Sequence, residues 1–81
     1  MTLTVQCFAA VADIVGGPQI ELAVNDSTTV QELKRVMVES FPDLQRLESS
    51  LLFAVNGEYA AMDCAVHAGD EVACIPPVSG G

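Results

Sequence analysis

The stretch from Thr29 to Pro42 constrains the fold more than any other, because it carries the one long helical period in a chain otherwise written in alternation. Val30, Leu33, Met37 and Phe41 recur at three- and four-residue steps, and Val36 widens the stripe. Thr29 stands three residues before Glu32, the spacing at which a hydroxyl accepts from the first unpaired backbone amides. Pro42 ends the run by removing a donor and biasing Phe41 away from helical backbone. The spacing predicts a helix over residues 30–41 whose stripe belongs to the core.

Strand-like segments surround it. Leu3, Val5 and Cys7 alternate with Thr4 and Gln6. From Phe8 the period changes, and Val11, Ile14 and Val15 suggest a short helix stopped by Gly16-Gly17. After Pro18, the alternation of Ile20, Leu22 and Val24 predicts a second strand that folds back antiparallel to the first. Asn25-Asp26-Ser27 is a turn. Beyond the long helix, Asp43 to Ser50 is polar and predicts a tight turn or one short helical turn anchored by Leu44 and Leu47. Leu51 to Val55 is continuously apolar and predicts a strand covered on both faces. Asn56-Gly57 marks a hairpin, since both positions suit positive φ, and Glu58-Tyr59-Ala60 begins the return. Met62 to Ala68 has no clear period. Gly69-Asp70 is a turn, and Val72 to Ile75 form a last strand running into Pro76.

One mixed sheet with a long helix packed across it is an α+β roll. The first and last strands are both apolar and lack edge-protecting charges, which places them side by side as a central parallel pair. That is the β-grasp, or ubiquitin-like, arrangement. It divides the chain into a domain over residues 1–75 and an extended tail over residues 76–81.

Composition narrows the function. With 51% apolar and 17% charged residues among 81, the chain suits one packed domain. Eleven acids against Lys34, Arg35 and Arg46 give a net charge of −8. That charge disfavours nucleic acid and anionic membrane surfaces and suits a partner with a basic face. The first residues lack the basic start of a secretory leader, and no apolar run approaches the ~18 residues of a membrane span. Cys7, Cys64 and Cys74 are odd in number and lack metal-ligand spacing, so they read as reduced thiols of a cytoplasmic protein.

Reactive constellations are scarce. His67 is the only histidine and lies in a turn-rich segment. No metal site is expected: Asp70-Glu71 with Asp63 and Glu58 reads as a solvated acidic rim before it reads as a cation site. Gly16-Gly17-Pro18 lacks the lysine of a phosphate loop. The run Pro76-Pro77-Val78-Ser79-Gly80-Gly81 remains. Its prolines end the sheet, and its glycines leave the terminal carboxylate unhindered, able to pass a channel that any side chain would block.

On these pieces the chain resembles the small sulfur-carrier subunits of molybdopterin synthase, which are ubiquitin-like. The resemblance rests on Phe8-Ala9, Ile14-Val15-Gly16, Thr29 to Leu33, Val55-Asn56-Gly57, Gly69 to Ala73, and most specifically on the final six residues. It implies a carrier that is no enzyme on its own but the non-catalytic subunit of a two-subunit sulfurtransferase. No cofactor is bound permanently. On this resemblance Gly81 would be adenylated by a ubiquitin-activating-type adenylyltransferase that uses ATP. A sulfur donor protein then converts it to a thiocarboxylate, whose sulfur goes to cyclic pyranopterin monophosphate. The tail, Pro76, Pro77, Val78, Ser79 and Gly80, would insert into the large subunit of a heterotetramer. Cys74 and Ile75 stand where the family often has aromatic residues, and are expected to contact that partner through an apolar patch near Ile75 and Val78 ringed by acids. Alternatives are a carrier for thiazole or tRNA thiolation, or a ubiquitin-like protein modifier.

Overall fold

The computed structural model describes residues 1–76, so Pro77, Val78, Ser79, Gly80 and Gly81 lie outside the described residues. Seven strands and three helical segments follow one another as β1 (Thr2–Cys7), α1 (Ala9–Val15), β2 (Gln19–Ala23), β3 (Thr28–Thr29), α2 (Val30–Ser40), a 3-10 helix (Pro42–Ser50), β4 (Leu52–Val55), β5 (Glu58–Tyr59), β6 (Ala65–Val66) and β7 (Val72–Ile75). The main sheet has the order β2-β1-β7-β4-β5. Its centre is the expected parallel pair, β1 against β7, with Val5 opposite Val72 and Cys7 opposite Cys74. On one side β2 runs antiparallel to β1, pairing Leu3 with Leu22. On the other, β4 runs antiparallel to β7 and β5 antiparallel to β4.

The core lies between the sheet and α2. Leu3, Val5, Phe53, Val72 and Cys74 point inward from the strands, and Val30, Leu33 and Met37 meet them from the helix. Each is nearly inaccessible to water, and burying a side chain of this kind contributes about 1.5–3 kcal/mol. Thr29 caps α2 by accepting a hydrogen bond from the Glu32 amide at 3.3 Å. The Glu32 carboxylate is occupied elsewhere: it binds the Arg35 guanidinium, which also binds Glu39. Arg35 holds the Glu32 carboxyl below the usual carboxylate range. The short helix α1 stops as expected, with Gly16 at φ 90°. Among the described residues no helix is long and apolar enough to cross a membrane.

Three features differ from the sequence expectation. The polar segment after Phe41 is a 3-10 helix of nine residues, not a single turn, because Leu44 is driven fully into the core while its neighbours stay wet. Leu52 is 48% exposed, so β4 is covered on one face only. The segment from Met62 to Ala68 contains β6, which pairs with β3 ahead of α2, Thr28 opposite Val66. Two-residue strands are too short to show a period, and this pairing is set by tertiary contact.

The hairpin at Asn56-Gly57 has φ 53° and 84°, as that dipeptide predicts. Asn56 does more than turn the chain. Its side chain donates to Asp70 Oδ1 at 3.1 Å and accepts from the Glu71 amide at 2.9 Å, tying the hairpin to the turn before β7. Asp70 Oδ2 accepts from the His67 amide at 2.8 Å. The His67 amide and then the Asn56 side chain stabilise the charged form, so the Asp70 carboxyl titrates below its usual value.

Thr29→Ala should lower unfolding stability by about 1 kcal/mol in urea titrations, with the fold retained. Because the Asp70 pKa is depressed in the folded state, its contribution is complete above the unfolded value of about 4 and is lost as pH falls through the folded value. The melting-temperature advantage of the native chain over Asp70→Asn should therefore shrink steadily below about pH 4. An advantage that stays constant down to acid would contradict it.

Candidate functional site

Alternation along the sheet puts one set of side chains on the helix and the opposite set outside. Opposite pairs on β4 and β7 share a face, so the outer set includes Leu52 with Ile75 and Ala54 with Ala73, and Tyr59 sits beyond Ala54. Phe8 follows Cys7, and continuing the Cys7–Cys74 register sets it beside Ile75. The large exposed apolar side chains among the described residues are Phe8 at 50%, Leu52 at 48% and Tyr59 at 74%. All three belong to this one outer face. Toward the other edge the same face is polar, with Thr4, Gln6, Gln19 and Glu21 on β1 and β2. A clustered apolar surface on a small acidic domain marks a protein-contact site.

Of the two residues expected to meet a partner, Ile75 is half-buried and has outward surface to offer. Cys74 has none: it is 0% exposed, in the core opposite Cys7. Pro76, expected as the first residue of the tail, follows β7 outside any strand and is itself buried, so packing reaches one residue past Ile75. The remaining tail residues, Pro77 to Gly81, lie outside the described residues. Phe8, Leu52 and Tyr59 were not anticipated as contact residues. The signal was present for Leu52, since a strand that buries Leu51 and Phe53 on one side must turn Leu52 to the other.

The other candidates resolve simply. Burial pushes the Cys74 thiol up to about 12, helped by its neighbour Cys7, whose own thiol is also raised by burial. Thiols held in that state are poor nucleophiles. Cys7 further donates weakly to the Val5 carbonyl at 3.6 Å. His67 is an exposed side chain 3.7 Å from the Asp70 carboxylate. Asp70 is already engaged by Asn56 and the His67 amide. Among the described residues no group of three His, Cys, Asp or Glu side chains converges to hold a metal ion.

Comparison with known proteins places this geometry. The ThiS family model matches residues 5–81. The molybdopterin synthase sulfur carrier subunit of Arabidopsis thaliana is 34% identical over 79 residues, spanning 98% of this chain and 82% of the plant protein. The protein of the same name from Escherichia coli is 38% identical over 76 residues, spanning 91% and 93%. The crystal structure of small archaeal modifier protein 1 from Haloferax volcanii superposes with a TM-score of 0.85 at 31% identity, covering 100% of both chains.

The burial pattern predicts the order of thiol reactivity. In the folded protein a maleimide or disulfide reagent should modify Cys64, which is partly exposed, while Cys7 and Cys74 react only on unfolding. Rapid labelling of Cys74 in the native state would show that β7 opens readily.

Proposed function

The chain belongs to the ThiS family, and from that premise we propose that it is the sulfur carrier subunit of molybdopterin synthase. The observation that carries this reading is the span of the match: the family model runs through the body and on to the terminal Gly81. The relatives named for this role cover nearly the whole chain. On this reading the domain is a holder and the chemistry happens at its end. The Gly81 carboxylate attacks the α-phosphate of ATP on a ubiquitin-activating-type adenylyltransferase, releasing pyrophosphate. Sulfur delivered by a donor protein then replaces the adenylate, leaving a terminal thiocarboxylate and AMP. That sulfur passes to cyclic pyranopterin monophosphate in the large subunit.

The architecture suits the task. Gly80 and Gly81 present no side chain to the walls of an active-site channel. The chain reaches them from β7, a central strand paired on both sides, so the root of the tail is firmly anchored. The apolar face around Ile75 and Leu52 lies beside that root and provides the docking surface for the large subunit. The net charge of −8 favours a basic rim on that partner and raises the rate of encounter. Two carriers on a dimer of large subunits complete a heterotetramer. Alone, the chain catalyses nothing.

A second reading, a protein modifier joined to lysines, is favoured by the likeness to the Haloferax modifier protein. It needs the same activated Gly81 and differs in the acceptor, so lysine conjugates in cell extracts would speak for it.

Mixing the chain with a molybdopterin synthase large subunit and measuring binding tests the proposal. Leu52→Arg, at an exposed site, should leave folding intact and weaken the complex by about 2 kcal/mol, roughly thirty-fold. Deleting Gly81 should preserve complex and fold while abolishing molybdopterin formation. No complex with the native chain would overturn the assignment. Product formation without Gly81 would overturn the role of the terminus.

A further inference from the structure

Asn56-Gly57 has two roles in this fold, and they pull in opposite directions. The dipeptide supplies the left-handed backbone of the β4–β5 hairpin, at φ 53° and 84°. Asn56 also binds the turn before β7. Its backbone amide donates to the Glu71 carbonyl at 2.7 Å, its Oδ1 accepts from the Glu71 amide at 2.9 Å, and its Nδ2 donates to Asp70 Oδ1 at 3.1 Å. Asp70 is itself fixed, since its other oxygen accepts from the His67 amide. Within the main sheet β5 is two residues long and pairs with β4 alone, so these bonds fasten the hairpin tip to the rest of the fold.

The same dipeptide is the one at which an asparagine carboxamide is most easily lost. The amide nitrogen of the following residue attacks the side-chain carbonyl carbon, and glycine, with no Cβ, hinders that attack least. Asn56 and Gly57 are both exposed, and outside its chain neighbours nothing lies within 4 Å of where a Gly57 Cβ would sit. Water and dissolved bases therefore reach the turn.

We propose that Asn56 is a deamidation site kept closed by its side-chain bonds to Asp70 and Glu71, and that its conversion releases the hairpin from the turn before β7. In the step, the Gly57 nitrogen gives its proton to a base in water and bonds to Cγ of Asn56. The C–N bond to Nδ2 breaks, ammonia leaves, and a cyclic imide closes. Water then opens the imide at either carbonyl, so asparagine plus water becomes ammonia plus aspartate or isoaspartate. The carboxamide must swing off Asp70 and the Glu71 amide before Cγ can meet the Gly57 nitrogen, so the attack waits for both bonds to open. Neither product restores them. Aspartate sets a carboxylate against that of Asp70, where an amide donor stood. Isoaspartate adds a carbon to the main chain of the tight loop, which then cannot keep Val55 opposite Glu58.

The test holds the purified chain at physiological temperature and mildly alkaline pH, beside a free peptide of residues 52–60. Residue 56 is followed by peptide mass and by labelling with an isoaspartyl methyltransferase. Two hydrogen bonds, one of them to a charged acceptor, should slow the folded chain about thirty-fold against the peptide. Asp70→Ala removes one of the two and should raise the folded chain's rate about tenfold, with folding checked by circular dichroism. In Asn56→Asp the Glu71 amide should exchange its hydrogen about tenfold faster than in the native chain. A folded chain that deamidates as fast as the peptide, an Asp70→Ala rate equal to the native one, or unchanged Glu71 exchange in Asn56→Asp would each overturn the proposal. Should Asp70→Ala fail to fold, the peptide comparison and the Glu71 exchange decide it between them.

Discussion

β1 and β7 run parallel at the centre of the sheet, with Val5 opposite Val72 and Cys7 opposite Cys74. Parallel neighbours cannot be joined by a tight turn, so everything between Cys7 and Val72 has to leave the sheet and come back. The chain does this in pieces: α1 and β2 fold back along β1, α2 and the 3-10 helix cross the inner face, and β4 with β5 return on the far side of β7. The last strand therefore ends in the middle of the sheet, held by hydrogen bonds from both neighbours. Its end at Ile75 is thereby anchored in a way that a frayed edge strand could not match.

The same pairing gives the sheet two unequal faces. Inward, Leu3, Val5, Phe53, Val72 and Cys74 close against Val30, Leu33 and Met37 of α2. Among the described residues the helices lie on the inner face of the sheet. The outer face is thus left open, polar toward β2 and apolar where β7, β4 and β5 meet. Leu52, Tyr59 and Phe8 stay exposed among the described residues, and a clustered apolar surface of that kind suits a protein partner. The exposed apolar patch and the end of β7 are adjacent because both belong to β7 and its immediate neighbours.

Much of this was legible from the residues. The helical stripe behind Thr29, the glycine stop at Gly16, the Asn56-Gly57 hairpin and the central placement of the end strands all express local backbone preference or simple alternation, and those signals are strong. What escaped depends on partners distant in sequence. β3 and β6 exist only because Thr28 meets Val66 across the molecule. The 3-10 helix is held by the burial of Leu44, which polar neighbours conceal. The exposure of Leu52 was hidden inside a continuous apolar run, where composition suggests two covered faces and only the sheet's position in the fold shows that one is bare. For the site, the two glycines pointed to the terminus, whereas choosing Ile75 over Cys74 as a surface residue required knowing which way β7 faces.

On the proposed function a rigid body carries one reactive group at Gly81, and the mass of that terminus is the decisive readout. The chain purified from its own cell, digested and measured at its C-terminal peptide, should contain a fraction heavier by the exchange of one oxygen for one sulfur, located on Gly81. A C-terminal peptide found solely as the carboxylate, in cells actively making molybdopterin and with thiocarboxylates protected during isolation, would overturn the proposed function.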